Sequence, residues 1–350
     1  MWNRPAPWAV PGHTGAMGAG IFDVARLAGV STATVSRALR GLPSVREDTR
    51  SRVLQAAAEL DYHPSPTASS LASGRTNTIG LLTPSVARWF HAHVIEGAER
   101  ALRAAGLDVL LYAFEVNASM SRAQVDPRVL RGRVDGVLVV GLPVVDSELE
   151  TLAALGVPLV FIGAGPPGHV RVHMNDARAA GVVVGELVRA GHRRIGQVLG
   201  SPARTVPWSP AVERARGAAE RLAAEGIAAG ALVEHGDFTV EGGRAAAARL
   251  LDRESEVTAI FAHSDEMAFG VLAELESREI RVPEAMSVAG IDGHDLASLV
   301  GLSTVEQDAA GQGAMGAALV LEMIAGTSVG PDLVFPTRWV PRRSLGAPRA

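Results

Sequence analysis

The segment Ile21 to Arg40, IFDVARLAGVSTATVSRALR, constrains this chain more than any other. Apolar residues at Ile21, Val24, Ala25, Leu27 and Ala28 recur at helical spacing. Gly29 supplies the permissive backbone that ends such a helix. Ser31 suits the N-cap of a second helix, in which Val35, Ala38 and Leu39 share a face. A small Ala25, a glycine four residues later and a β-branched Val35 ten residues later let two helices approach, bend and interlock. An ordinary antiparallel helix pair does not need that ordered set, so the segment reads as a helix-turn-helix. A third amphipathic helix is expected over Arg46–Leu60, with Val53, Leu54, Ala57 and Leu60 toward the core. Arg50 and Arg52 are left for solvent or phosphate.

The second helix has the chemistry of a DNA-reading surface. Ser31, Thr32, Ala33, Thr34, Ser36, Arg37 and Arg40 line its start and outer face. Most are short, which lets a helix sink into a major groove. Thr and Ala methyls can meet thymine methyls, and an arginine such as Arg37 can reach guanine O6 and N7. The charge distribution agrees. Residues 1–76 hold eight Arg against five acids, a net of +3, whereas the whole chain is −4, which leaves −7 for the other 274 residues. A basic head on an acidic body suits a module that meets phosphate joined to one that does not.

The head continues as VREDTRSRVLQAAAELDYHPSPTASSLASGRTNTIGLL. Together with IFDVARLAGVSTATVSRAL, this run resembles the LacI/GalR family of transcriptional regulators. The Tyr62-x-Pro64 junction, Ala68 and Leu71, and the Thr76-x-x-Ile79-Gly80 entry to a strand carry the resemblance. It implies that residues 64–76 form a hinge in which Ala68 packs and Leu71 wedges into the minor groove of double-stranded operator DNA, bending it. Ser65-Pro66 and Ser69 depart from the family pattern, which has Asn and a basic residue after the hinge proline and Arg where Ser69 stands. The same stretch also reads as a flexible linker.

Beyond Asn77, short apolar runs alternate with longer helical ones, as parallel doubly wound sheets do. Strands are expected at Thr78–Leu82, Asp108–Tyr112, Gly136–Val140, Pro158–Ile162, Ile195–Leu199, Ala231–Glu234, Ala259–Ala262 and Ser287–Ile291. The resemblance extends through TAIFAHSDEMAFG (258–270), VPEAMSVAGID (282–292) and LSTVEQD (302–308). It implies a periplasmic-binding-protein-like α/β sensor of two subdomains, about 77–176 with 308–337 and 177–307 with 338–344. Tails are expected at 1–19, before a 20–63 head, and at 345–350.

Ligands of such sheets sit at the carboxyl ends of strands. By resemblance and position, the effector candidates are Trp89, Phe90, Trp208, Arg214, Phe238, Ser264, Asp265 and Asp292. An Arg and an Asp facing one cleft can clamp vicinal hydroxyls, and aromatic rings can stack on a carbohydrate, the implied effector. Arg214 also reads as a surface ion pair, Asp292 as a turn cap and Phe238 as core. Asn175-Asp176 reads as a helix cap or as a polar pair of the family.

Other classes lack their signatures. There is no GxSxG elbow, Walker loop or strand-following GxGxxG, so an enzyme is not expected. No cysteine and no HExxH-type spacing give a metal site, and no cofactor is implied. A solute-binding protein would have an export signal and no use for a helix-turn-helix; the first nineteen residues have no apolar run of signal length. A cytoplasmic homodimer is expected, without membrane contact and without a heptad-bearing C-terminal coil to make a tetramer.

Overall fold

The computed structural model describes residues 19–62, 74–114, 126–200, 206–228, 232–254 and 256–349. They fall into two units that divide after Thr76.

Among the described residues the first unit holds three helices, α1 (Ile21–Ala28), α2 (Thr32–Leu39) and α3 (Glu47–Glu59). Gly29 ends α1 in the left-handed conformation, φ 64°, and the Thr34 backbone N–H donates to Ser31 Oγ (3.2 Å) to cap α2. Val24, Ala25, Ala28, Val35, Ala38, Val53, Ala56 and Ala57 make the core. Two expectations need correction. Leu54 is 49% exposed and Ala56 takes its place, because Val53, Ala56, Ala57 and Leu60 form the i, i+3, i+4, i+7 stripe that Leu54 misses by one residue. Leu27 is likewise exposed. Arg50 is not left for phosphate: its Nη2 donates to the Leu42 carbonyl (2.9 Å) and ties the α2–α3 loop to α3.

The second unit holds two six-stranded sheets. The first contains β1 (Thr78–Thr83), β2 (Asp108–Ala113), β3 (Gly136–Val140), β4 (Leu159–Ile162), β5 (Arg171–Met174) and β11 (Asp332–Phe335), in the order β11-β5-β4-β3-β1-β2 and wholly parallel. The second contains β6 (Ile195–Leu199), β7 (Val233–His235), β8 (Ala259–Ala262), β9 (Ser287–Asp292), β10 (Ser303–Gln307) and β12 (Thr337–Val340), in the order β12-β10-β9-β8-β6-β7. Only β12 runs antiparallel to its neighbour there. Strands β3, β8 and β9 are buried along their whole length, as expected of parallel strands covered on both faces.

Helices α4 (Trp89–Ala104), α5 (Asp146–Ala153) and α11 (Ala309–Ile324) accompany the first sheet. Helices α6 (Asp176–Arg189), α7 (Pro210–Ala224), α8 (Val240–Arg253), α9 (Asp265–Ser277) and the short α10 (Ala297–Val300) accompany the second. The expected doubly wound, two-subdomain architecture is therefore present. The strands that periodicity alone does not mark are β5, β10 and the edge strands β11 and β12; three of them are only four residues long, and β11 and β12 bury no residue fully.

The chain passes between the subdomains at Asn175, at Asp308 and at Pro336, which separates β11 from β12. Leu345 and Gly346, at the start of the expected C-terminal tail, are docked on the second subdomain. Ser344 Oγ donates to the Val288 carbonyl (2.6 Å) and the Gly346 N–H donates to Ser287 Oγ (3.0 Å), while Leu345 packs on the core of the second subdomain. His192 sits beside this strap, its Nδ1 2.9 Å from Thr258 Oγ1 and its Nε2 2.9 Å from the Gly346 carbonyl. Among the described residues, no helix is long and apolar enough to cross a membrane.

Candidate functional site

On the head, α2 presents Ala33, Arg37 and Arg40 to solvent, with Thr32 and Ser36 half-buried beside them. Arg37 Nε donates to the Ala33 carbonyl and Arg40 Nε to the Ser36 carbonyl (3.1 Å each), which lays both side chains along the helix. Neither guanidinium pairs with an acid among the described residues. Ser31 and Thr34 are joined through their hydroxyls (2.9 Å) at the helix start. The result is a short, exposed, cationic helix face backed by a close-packed core, which is the shape and charge a major groove requires. Ala68 and Leu71 lie outside the described residues.

In the second unit both sheets reverse strand order at one place, between β1 and β3 and between β6 and β8. Such switch points are where open α/β sheets bind ligands, and here they come together. Trp89 and Phe90 follow β1. The Trp89 indole lies 5.5 Å from the His294 ring at 28° and 4.5 Å from the His93 ring. His294 belongs to the other subdomain, as does Asp295, 3.3 Å from His93 Nε2. Arg88 approaches Glu266 across the same gap (3.9 Å), and the Trp89 backbone N–H is bonded to the Glu266 carboxyl. Trp208 comes from the segment after β6 yet packs on the Leu82, Val139 and Phe161 cluster of the first subdomain. Phe90 covers Gly163, where a Cβ would lie 2.4 Å from Phe90 Cζ, and Phe238 covers Gly200 in the same way at 2.0 Å from Cε2.

Arg214, on the first turns of α7, is buried at the centre of this region. Its Nε donates to Asp176 Oδ1 (2.7 Å), its Nη2 to Asp292 Oδ1 (3.4 Å) and its Nη1 to the His263 carbonyl. Gln307 Nε2 donates to the same Asp292 oxygen (2.8 Å), and Gln312 Nε2 to Gln307 Oε1 (2.9 Å). Asp292 has φ 137°, a conformation that side-chain-bearing residues rarely adopt and that clusters at binding sites. Burial works against the Arg214 charge, and Asp176 and Asp292 more than offset it, so the arginine's pKa is raised. Burial raises both aspartates, with Arg214 opposing.

The other candidates are placed differently. Ser264 caps α9 by accepting from the Met267 N–H (3.3 Å). The Asp265 carboxylate accepts from Thr304 Oγ1 (2.7 Å) and from the His294 N–H (2.8 Å), so it holds the turn after β9. Burial and the neighbouring Asp292 charge push Asp265 up to about 7. His263 is driven down to about 3 and His91 to about 4, in each case by burial and then by a neighbouring arginine, Arg214 and Arg88 respectively. Asp176 is the member of this buried cluster that sequence reading leaves undecided. Asn175 is the cap, accepting from the Arg178 N–H (2.9 Å), while Asp176 turns inward to Arg214. His294 lies in the loop after β9 and Gln307 in LSTVEQD, but neither is marked by its local sequence as a contact residue, and Gln312 carries no local signal.

A helix-turn-helix head and a body of two doubly wound sheets define the class of ligand-responsive regulators of transcription. Residues 20–65 match the model of bacterial regulatory proteins of the lacI family, and residues 184–345 match that of the periplasmic binding protein-like domain. The chain is 32% identical to the HTH-type transcriptional repressor CytR of Escherichia coli (strain K12), covering 88% of this chain and 90% of that protein. Among solved structures it resembles a transcriptional regulator CelR–cellobiose complex (TM-score 0.68, 32% identity, 93% and 99% of the two chains). It also resembles the Lac repressor dimer bound to operator and the anti-inducer ONPF (TM-score 0.83, 25% identity, 94% and 99%). This protein belongs to the lacI family of bacterial regulatory proteins.

Proposed function

We propose that this protein is a cytoplasmic homodimeric repressor that reads a pseudo-palindromic operator with one α2 helix per half-site, and whose affinity for that operator is set by a small molecule bound around Arg214. The carrying observation is the convergence of Arg214, Asp176 and Asp292 at the meeting of two strand-order reversals. A carbohydrate effector is favoured by this clamp and by the nearby Trp89, Phe90, Phe238 and Trp208; the CelR relative was solved with cellobiose. Ser31, Thr32, Ala33, Thr34, Ser36, Arg37 and Arg40 would contact DNA, with Ala68 and Leu71 serving the hinge. Leu296 and Leu299, 49% and 74% exposed around α10, offer apolar surface for a second copy.

Asp176 follows one subdomain crossing and Gln307 precedes another, so a ligand that moves Arg214 or Asp292 acts directly on the hinge segments. It can shift the DNA equilibrium only by the difference in its affinity for the two subdomain arrangements. The test is selection of binding sites by the full-length protein from random duplex DNA, followed by titration against salt and against sugars. A two-fold-symmetric site whose affinity falls with salt and changes with one sugar is expected. Sequence-independent binding, or none, overturns the regulator reading.

A further inference from the structure

The start of α4, in the first subdomain, is joined to the second by side chains alone. Arg88 approaches Glu266, the Trp89 N–H is bonded to the Glu266 carboxyl, the Trp89 indole stacks on His294, and His93 meets Asp295. Of these groups, His93 is the one whose proton count the geometry fixes. Its Nδ1 lies 2.8 Å from the Trp89 carbonyl oxygen in its own helix, and its Nε2 lies 3.3 Å from Asp295 Oδ2 across the gap. A carbonyl and a carboxylate only accept, and a neutral imidazole has a single N–H. Either neutral tautomer would aim a nitrogen lone pair at an oxygen lone pair, so only the imidazolium suits both sides. His294 is set the other way. Its Nδ1 accepts from the Leu296 N–H (3.1 Å), and burial, opposed by Asp295, holds this ring below the usual histidine range. The Trp89 ring, centred 4.5 Å from His93 and tilted by 36°, adds a cation–π contact to the protonated form.

We propose that His93 is a proton-operated pin between the subdomains. With the proton on, it ties α4 to Asp295 and favours the arrangement in this structure; with the proton off, it lets the two lobes part. The pinned arrangement holds a proton more tightly than one in which His93 and Asp295 stand apart. Its share is therefore full below the histidine range and is lost as pH rises through it. The other charges around His93 have partners of their own. Arg88 pairs with Glu266 and Glu96 with Arg100, while Asp308, at the cap of the α11 helix that packs on α4, accepts from the Gly311 N–H. The Asp295 side chain is 69% exposed, so solvent screens the pair and the population ratio is expected to change only about two- to fivefold.

The chain has no cysteine, so Ala104→Cys on α4 and Ala245→Cys on α8, both exposed, put one spin label on each subdomain of the full-length protein. Double electron–electron resonance, with labelled chain diluted in unlabelled chain, reads the distance between lobes from about pH 5 to pH 8, the span over which histidine titrates. The ratio of molecules at the separation in this structure to those at longer separation is expected to fall about two- to fivefold over that span. His93→Gln and Asp295→Asn are each expected to abolish the fall. A ratio that does not fall with pH in the wild type, or a fall that survives in either variant, overturns the pin. The His93 imidazole resonances, assigned by their loss in His93→Gln, are expected to titrate at lower pH in Asp295→Asn than in wild type. An unmoved midpoint overturns the pairing even where the distances respond. No effector enters these measurements, so the effector reading stands or falls separately.

Discussion

Arg214 and Asp176 lie 38 residues apart in sequence and meet through a 2.7 Å hydrogen bond with both side chains over 90% buried. Asp176 is the first residue of α6 and follows the first crossing between subdomains, whereas Arg214 comes from α7. The pair therefore links the region where the two strand-order reversals meet to a segment that crosses between the subdomains. Asp292, Gln307 and Gln312 extend the link to the second crossing at Asp308.

Replacing the arginine exposes the cost of that arrangement. Arg214→Met leaves Asp176 and Asp292 buried without their cation, and a loss of about 3–5 kcal/mol is expected for breaking a buried pair from one side. Chemical denaturation of the effector unit measures it. Asp176→Asn keeps a hydrogen-bonding group and is expected to cost less. A stability change below about 1 kcal/mol in Arg214→Met would mean that the network is not held as described.

The buried titratable groups make stability depend on pH in two opposite ways. Asp265 is raised from 3.8 to about 7, so the folded state holds its proton more tightly. Its contribution is full below pH 3.8 and is lost as pH rises through 7. His263 and His91 are lowered from 6.5 to about 3 and about 4, so their contribution is full above pH 6.5 and is lost as pH falls through those values. Melting temperatures of wild type and Asp265→Asn across pH 4–8 are expected to converge as pH rises if Asp265 titrates this way. A difference that is flat with pH would show that it does not.

On the head, Arg37→Ala removes a guanidinium that pairs with no acid among the described residues. A loss of about 1–3 kcal/mol in operator affinity is expected, with relaxed preference at one base pair and little change in stability. Fluorescence anisotropy on the selected site and its single-base variants reads both effects. A uniform loss across all variants would place Arg37 on phosphate instead of a base.

Helices α4 and α11 touch through Gly97, where a Cβ would lie 2.0 Å from the Ala310 carbonyl oxygen. Gly97→Ala must push the helices apart, and overpacking of this kind costs about 1–3 kcal/mol. Thermal denaturation tests it; Gly106→Ala gives the contrast, since that position has open space and its strain comes from φ 78° alone.

The local signals in this chain are those whose physics is local. Ala25, Gly29, Ser31 and Val35 are enough to specify a helix, a left-handed stop, a cap and a wedge, because each acts within a few residues of its neighbours. The ends of the buried strands are legible too, and strand-end position together with the family resemblance brings Arg214 and Asp292 forward as candidates before any contact is known. Partnership is not legible in the same way. Asp176 fits a helix start as well as a polar pair until the sheet order brings α7 beside it, and nothing local tells that Ser264 meets the Met267 N–H or that Asp265 meets Thr304 and the His294 N–H. Leu54 and Ala56 sit two residues apart, and the packing of α1 and α2 against α3 turns the smaller side chain inward. Periodicity names faces and ends, while the choice of partner waits on distances that only the folded chain sets.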